Sequence, residues 1–460
     1  MRVAFYSPMP PSKTGVAHYS AILVPALQKQ VEVEVNPATQ RPSDPATPSI
    51  YQLGNNPQHE FVYREAMKNP GVIVLHDIVL HHLIVEMTLA RGDAEGYIAA
   101  MRANHGDMGE AWARGRIIGL HDEIANFLMP ASIDIANRSR AVIVHNQYAA
   151  DRLTSLGVET PIFVVPHPFK PRPEARGPRP EEPVVGFFGF LTSAKRAEVV
   201  LAAFRLARSR DPRLRLLIVG EPAPNIRVPS GEGITVTGYV DDAQFDEYYS
   251  KVDRLVNLRY PSAGETSGTL IRAFEAGLPV AVSDYAQFAE LPDDIVTKIP
   301  FGDDEVQRLA EFFLRDHSSP AAAQRKWLDE NATIEKTVQG YMRALSGGQA
   351  PRLSTAGQAG ASVLQLFPHV GMTWDGATVT LKNLGDTTLL AGEYGQPGYR
   401  AILKLGDTDR WVALPGDLRP GESVEIPFQG SGRLTLTNAL EGIAIVDETP
   451  AAEVELERVR

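Results

Sequence analysis

The segment NLRYPSAGETSGTLIRAFEAGLPVAVSD, from Asn257 to Asp284, joins residue types that can hold an anion beside a polyol. An apolar strand runs into a loop of small residues, and the loop opens a helix at Gly268. Thr266 and Ser267 are residue types that cap helices by accepting from free N–H groups. The remaining N–H groups of the first turn, from Gly268 and Thr269, and the positive dipole end suit a phosphate or diphosphate. Glu265, just before the helix, is a carboxylate able to accept hydrogen bonds from sugar hydroxyls. Taken by itself the segment keeps a second reading, in which Ser and Thr are plain caps and Glu265 is a solvated loop residue.

A second stretch, GFFGFLTSAKRAEVVLAAF from Gly186 to Phe204, places Lys195 and Arg196 at a helix start. Cations are mildly unfavourable there, which favours a ligand-directed role over plain solvation. Cationic and N–H donors aimed at a leaving diphosphate stabilise its growing charge. In PMPPSKTGVAHYS, Pro8 to Ser20, Gly15 lets backbone approach a ligand without a Cβ, although many loop glycines are only turns. YQLGNNPQHEFVY (Tyr51–Tyr63) and GVIVLHDIVLHHL (Gly71–Leu83) read as strands ending in polar residues. That is the sheet edge where α/β proteins bind ligands. His76 is the candidate for a sugar contact, and Asn55, Asn56, His59 and Asp77 fall on the acceptor side. His81 and His82 read as helix-surface residues. The histidines and carboxylates show no metal-ligand spacing, so neither a metal nor another cofactor is expected.

The elements that must position these residues are parallel α/β units. Strands are predicted at Arg2–Ser7, Ser49–Leu53, Gly71–Leu75, Ala141–His145 and Ile162–Pro166, with helical stretches at Val16–Lys29, Gln58–Lys68 and a long region from Ile78 to about Met129. A Pro-rich charged linker, Lys170 to Pro183, precedes a second series. Its strands fall at Val184–Phe188, Arg213–Val219, Ile234–Thr237, Arg254–Leu258 and Pro279–Ser283, and its helices at Arg196–Ser209, Asp242–Lys251, Gly268–Ala276 and Ser319–Leu345. After a second linker, Gly347–Gly360, the pattern changes to short alternating strands with Gly, Asp and Asn turns, as in a β-sandwich. The fold class expected is α/β: two Rossmann-like domains, 1–170 and 184–345, facing a cleft, and an antiparallel β-sandwich over 361–460 whose core includes Trp374 or Trp411.

A chain of 460 residues fits two or three domains, and 43% apolar with 22% charged residues is ordinary globular usage. There is no cysteine, so disulfides and thiolate chemistry are excluded, and a reducing cytoplasm is the expected location. A net charge of −11 argues against nucleic acid as a partner. No apolar run approaches the roughly 20 residues that span a bilayer, which leaves only peripheral membrane contact open.

The Asn257–Asp284 segment resembles the donor-binding motif of family 4 (group 1) glycosyltransferases, retaining enzymes of GT-B fold. Glu265 matches the first of that family's two glutamates, and Ala276-Gly277-Leu278-Pro279-Val280 matches the motif's ending. The second glutamate, which the family sets on the ribose, falls at Arg272, with Glu275 one turn away as a substitute or a surface residue. The family's diphosphate-binding lysine falls at Lys195 and its arginine at Phe190, with Arg196 beside it. By the same resemblance Gly15 lies on the loop that approaches donor and acceptor, His76 contacts the donor sugar, His145 and His167 line the cleft, and Tyr239 runs near the nucleobase, unless it is a core aromatic. What the resemblance implies is a retaining, metal-independent transferase working in glycan or polysaccharide biosynthesis. It would move a hexose-like unit from a nucleotide diphosphate donor to a glycan, lipid-linked or small hydroxyl acceptor. The competing readings are a related GT-B epimerase or phosphorylase, and a catalytically silent sugar-nucleotide or glycan-binding protein.

Overall fold

The computed structural model describes residues 1–460 apart from 13, 38–46, 121–124, 170–181, 224–225, 229–230, 232, 348–369, 376, 385–388, 390, 392–398, 406–410, 420, 428–431, 441–442, 445–452 and 457–460. It divides into two units, 1–359 and 360–460.

The first unit holds two parallel sheets. Strands β1 (Arg2–Tyr6), β2 (Glu32–Val35), β3 (Ser49–Leu53), β4 (Val72–Leu75), β5 (Ala141–Val144) and β6 (Ile162–Val164) pair in the order β2-β1-β3-β4-β5-β6. Strands β7 (Val184–Phe188), β8 (Arg215–Val219), β9 (Ile234–Val236), β10 (Arg254–Asn257), β11 (Val280–Ser283) and β12 (Thr297–Ile299) pair as β12-β11-β10-β7-β8-β9. Every pairing in both sheets is parallel. These are the two Rossmann-like domains expected from the sequence. The apolar runs IYQL and VIVL are buried throughout because helices cover both faces of a parallel sheet. In each sheet the strand order reverses beside the first strand. The loops after β1 and β3, and those after β7 and β10, therefore diverge and leave a crevice at the carboxyl edge.

Several elements differ from the sequence-based expectation. The edge strand β2, EVEV, is short and half acidic and lacks the continuous apolar run of the inner strands; Val33 and Val35 pack on the core, and Arg2 supports it by ion pairs to Glu32 and Glu34. The region from Ile78 to Met129 is not one helix. It breaks into His81–Met87, Ala94–Ile117 and Ala125–Leu128, and the second of these turns at Gly106, where φ is +62°. His81 is buried rather than on the surface: Nδ1 meets the Met129 carbonyl at 2.6 Å and Nε2 the Tyr97 hydroxyl at 2.6 Å. His82 is exposed, as expected.

The helical tail divides between the two sheets. Helix Ala321–Asn331 buries Leu328 in the second-domain core. Helix Ile334–Leu345 crosses to the first domain, where Val338, Tyr341 and Ala344 join Val3, Phe5 and Phe163. Gly340 is needed there, because a Cβ would stand 2.6 Å from Val165. Among the described residues no helix is long and apolar enough to cross a membrane.

The second unit is antiparallel. One sheet pairs Val370–Trp374, Thr378–Asn383 and Ser423–Pro427; the other pairs Trp411–Ala413, Tyr399–Leu405, Gly432–Leu440 and Ile443–Ala444. Val379, Leu381 and Ile426 from the first sheet meet Leu403 and Leu436 from the second, so the unit has a core of its own. The side chains of Trp374 and Trp411, expected in this core, lie outside the described residues, as do most of the two linkers. A chain ending after Leu345 is expected to remain folded, since it keeps both parallel sheets and the crossing helix. Circular dichroism and thermal unfolding of the truncated protein check this, and an unfolded product would show that the sandwich is required.

Candidate active site

The crevice between the two parallel sheets holds a cavity of roughly 710 Å³. From the second domain it is lined by Lys195, Tyr239, Glu265, Thr266, Gly268 and Thr269, and from the first by Gly15, Asn56, His76 and Asp77. Two loops that are distant in sequence thus meet as the motifs predicted.

Lys195 is set by the turn after β7. Thr192 caps that turn, and the Lys195 ammonium donates to the Phe188 carbonyl at 3.3 Å. Gly189, with φ at +86°, leaves the room; a Cβ there would stand 2.6 Å from Nζ. Burial pulls the ammonium well below its ordinary pKa, the Arg259 cation pushes the same way, and Glu265 opposes both. An arriving diphosphate would supply the missing counter-charge.

Glu265 is fixed at both oxygens. Oε1 accepts from Arg259 Nε at 2.8 Å and Oε2 from the Ala263 N–H at 3.1 Å, while its carbonyl accepts from Gln287 Nε2 at 2.9 Å. Arg259 is buried and is itself anchored by donation to the Leu258 carbonyl. Nothing in the spacing of the sequence singled out Arg259 or Gln287. Their roles depend on the loop folding back on itself, and the one available signal was an arginine at the end of an apolar strand.

Five predicted residues do not line the cavity: His145, expected in the cleft, lies behind it, and four others turn to the protein. The Arg196 guanidinium turns away to an ion pair with Glu305 and lies over the rings of Phe301 and Tyr260, at 5.4 and 5.7 Å. Ser267 is buried as a cap: Leu270 N donates to its hydroxyl, which donates to Asn257 Oδ1 at 3.1 Å. The Asn55 side chain accepts from Leu83 N at 3.1 Å, holding the start of helix His81–Met87. His59 is fully buried under Gly54, with Nδ1 against the Gln52 carbonyl at 2.9 Å, and burial pulls its pKa down to about 4. All four support the loops rather than present groups to the cavity. Arg272 and Glu275 do line it, and Arg272 pairs with Asp246 at 3.0 Å.

Behind the first-domain wall lies a histidine cluster. His76, His145 and His167 surround Tyr19, with ring centroids 4.6, 5.3 and 4.9 Å from it. Burial keeps all three neutral, with His145 pulled down to about 4 and His167 to about 3. His76 Nε2 lies 2.7 Å from Gln52 Oε1, and His76 Nδ1 lies 3.2 Å from His145 Nε2. Gln52 continues to the Tyr341 hydroxyl at 3.1 Å, and Tyr341 to Tyr19 at 2.8 Å. Among the described residues no cluster of histidines and carboxylates is placed to hold a metal ion.

The domains touch beside the cavity. Ile78 N donates to the Ala263 carbonyl at 2.7 Å, and Asn146 to the Gly264 carbonyl at 2.8 Å. Glu290 of the second domain caps helix Gln147–Ser155 of the first, accepting from the backbone of Gln147 and Tyr148. Burial pushes its carboxyl up to about 7 despite those two bonds. The folded state therefore holds this proton more tightly than the unfolded chain, where a glutamic acid titrates near roughly 4.3. The group's contribution is full below that value and is lost as pH rises towards about 7. Glu290→Gln keeps an acceptor and removes the buried charge. It is expected to raise the melting temperature at pH about 8 and leave it nearly unchanged at pH about 5; a lower value at the higher pH would show that the ionised cap stabilises the contact.

Comparison with known proteins adds a family likeness over part of the chain. Residues 182–315 match the family described as glycosyl transferases group 1. The matched span contains both second-domain motifs, so the resemblance read from Gly186–Phe204 and Asn257–Asp284 is met by the group 1 glycosyl transferase pattern. No curated protein matches the chain. Similar solved structures include a mutant of S. aureus TarM, at 15% identity and TM-score 0.45, covering 65% of this chain and 55% of that one. Anabaena HepE follows at 14% and 0.47, covering 75% and 99% of the two chains. The sucrose-phosphate synthase of Thermosynechococcus elongatus stands at 16% and 0.48, covering 75% and 100%. The chain thus spans just over half of TarM, and no residue's role is carried over from these likenesses.

Proposed function

We propose that this protein is a retaining glycosyltransferase that moves a sugar from a nucleotide diphosphate donor to a hydroxyl acceptor in glycan or polysaccharide synthesis in the cytoplasm. The observation that carries the reading is the joint placement of Lys195, Glu265 and the first turn of helix Gly268–Glu275 on one cavity wall, facing Gly15, His76 and Asp77 on the other. The match of residues 182–315 to group 1 glycosyl transferases supports the same chemistry.

In this reading the diphosphate lies against Lys195 and the N–H groups at Gly268, with the nucleotide extending towards Tyr239. As the bond from the anomeric carbon to the phosphate oxygen breaks, its electron pair passes to the diphosphate, and the ammonium and N–H groups stabilise that charge. Glu265 orients sugar hydroxyls and faces the positive character at the anomeric carbon. The acceptor oxygen attacks from the same face, and the departing phosphate oxygen takes its proton. Because the departing phosphate itself takes the acceptor proton, no glycosyl–enzyme intermediate of the kind retaining hydrolases form is required. No metal is required either, because Lys195 and the helix start supply the positive field.

The test is release of free nucleotide diphosphate from a panel of UDP-, GDP-, ADP- and dTDP-glucose, with and without a mixed hydroxyl acceptor, and with EDTA. Acceptor-dependent release that survives EDTA supports the reading. Donor binding without turnover would favour a silent sugar-nucleotide-binding protein, and loss of activity in EDTA would remove the metal-free mechanism.

A further inference from the structure

We propose that the first domain contacts the reacting sugar through the Asp77 carboxylate, as a hydrogen-bond acceptor for a hydroxyl, and that His76 beside it serves as buried support rather than as the contact. The inference rests on the transferase reading above and names one residue of that site.

The argument starts from what His76 has left to offer. His145 Nδ1 faces the Val165 carbonyl at 2.8 Å, and a carbonyl only accepts, so that nitrogen carries the proton of neutral His145. His145 Nε2 is then an acceptor, and the atom 3.2 Å away, His76 Nδ1, must donate to it. Neutral His76 has then spent its one proton. Its Nε2 must accept, and the group 2.7 Å away is the Gln52 amide, which meets this by presenting its nitrogen. Amide orientation and ring protons are assigned from such networks. The reversed amide still meets Tyr341, whose hydroxyl lies 3.1 and 3.5 Å from its two ends. Both ring nitrogens of His76 are therefore committed to protein partners. The ring borders the cavity but has no free nitrogen to aim into it.

Asp77 is arranged the other way. One carboxylate oxygen, Oδ2, accepts from the Asn55 N–H at 2.9 Å, and among the described residues no hydrogen bond reaches Oδ1. The residue lines the cavity and is partly exposed. Its loop is locked to that of Glu265, since the next residue, Ile78, donates its N–H to the Ala263 carbonyl at 2.7 Å. The Asn55 side chain fixes the same corner by accepting from Leu83 N at 3.1 Å. A carboxylate with one oxygen pinned and one free, fixed opposite Glu265, is an acceptor prepared for a hydroxyl. Burial and the facing Glu265 push its carboxyl up to about 7, while the Asn55 N–H and the Arg259 cation pull it down; the neighbouring His76 is neutral. The acceptor form therefore gives way to the protonated form as pH falls through that value.

The experiment compares the wild type with Asp77→Asn in steady-state transfer, using whichever glucose nucleotide of the panel the wild type turns over. Asparagine keeps an oxygen for the Asn55 N–H but turns an NH2 group towards the cavity. The expected result is a fall in kcat/KM of about 10- to 100-fold, the loss typical of a hydrogen bond to a charged group, with an unchanged melting temperature. In the wild type kcat/KM should decline as pH drops below about 7, and that limb should be absent in Asp77→Asn. His76→Gln is the second arm. Acting as support, it should lower activity together with melting temperature while the limb near that pH persists. Wild-type turnover with Asp77→Asn within about twofold of it overturns this inference alone. No nucleotide release by the wild type from any donor overturns the transferase reading and this one with it.

Discussion

Glu265→Gln and Lys195→Ala are each expected to lower sugar transfer by about a hundredfold to a thousandfold, the usual effect of removing one preorganised contact to developing charge. Lys195 sits where burial and Arg259 disfavour its charge, and Glu265 alone among its neighbours favours it. Its ammonium thus gains most when the diphosphate arrives and more as charge grows on the leaving oxygen. Lys195→Ala should therefore lower kcat as well as raise KM. Glutamine at 265 keeps one oxygen, enough for Arg259 or for the Ala263 N–H but not for both, so the negative charge is lost together with one of the two loop contacts. Its effect should fall mainly on kcat, with a fall in melting temperature no larger than the loss of one hydrogen bond brings. Steady-state kinetics beside thermal unfolding check both variants, and near-wild-type rates in both would remove the site assignment.

Tyr341→Ala is expected to destabilise the protein by about 3–5 kcal/mol, as removal of a large, fully buried aromatic ring does elsewhere. The ring is 0% exposed and lies in the core of the first domain, although the chain reaches it only after completing the second. Its hydroxyl also closes the line from Tyr19 to Gln52, so truncation leaves both without that partner. Tyr341→Phe separates the contributions: it keeps the ring and should cost about 1–3 kcal/mol for the partners left unsatisfied. Equilibrium unfolding of both variants tests this. Wild-type stability in Tyr341→Ala would mean that the crossing helix is not part of that core.

How much of this was legible in sequence varies with the range of the interaction involved. The Lys195 and Glu265 loops were visible because strand, small-residue loop and helix start are consecutive, and an α/β sheet sends such loops to one edge. The edge strand Glu32–Val35 was missed because three of its four residues sit half-exposed and two are acidic, so it lacks the apolar run of a buried strand. Arg196 looked equal to Lys195 as a cation at a helix start. A left-handed φ of +58° at Arg196 turns it towards Glu305, more than a hundred residues later, and no local pattern reports that partner.

The sequence by itself determined the architecture and the chemistry offered: two parallel α/β domains with an alternating-strand unit after them, and a cleft stocked with a lysine, a glutamate and a capped helix start. Periodicity and capping are set by neighbours within a few residues, so they survive without coordinates. Tertiary structure alone decided which polar groups face the cavity. His76 and Asp77 are adjacent at the end of one strand and equally suited to bind a hydroxyl. Gln52 and His145 engage both nitrogens of the first, Asn55 engages one oxygen of the second, and Tyr341 holds Gln52 in turn. A side chain's free hydrogen-bonding capacity is what remains after the fold has taken its share, and that remainder depends on residues brought together only by folding.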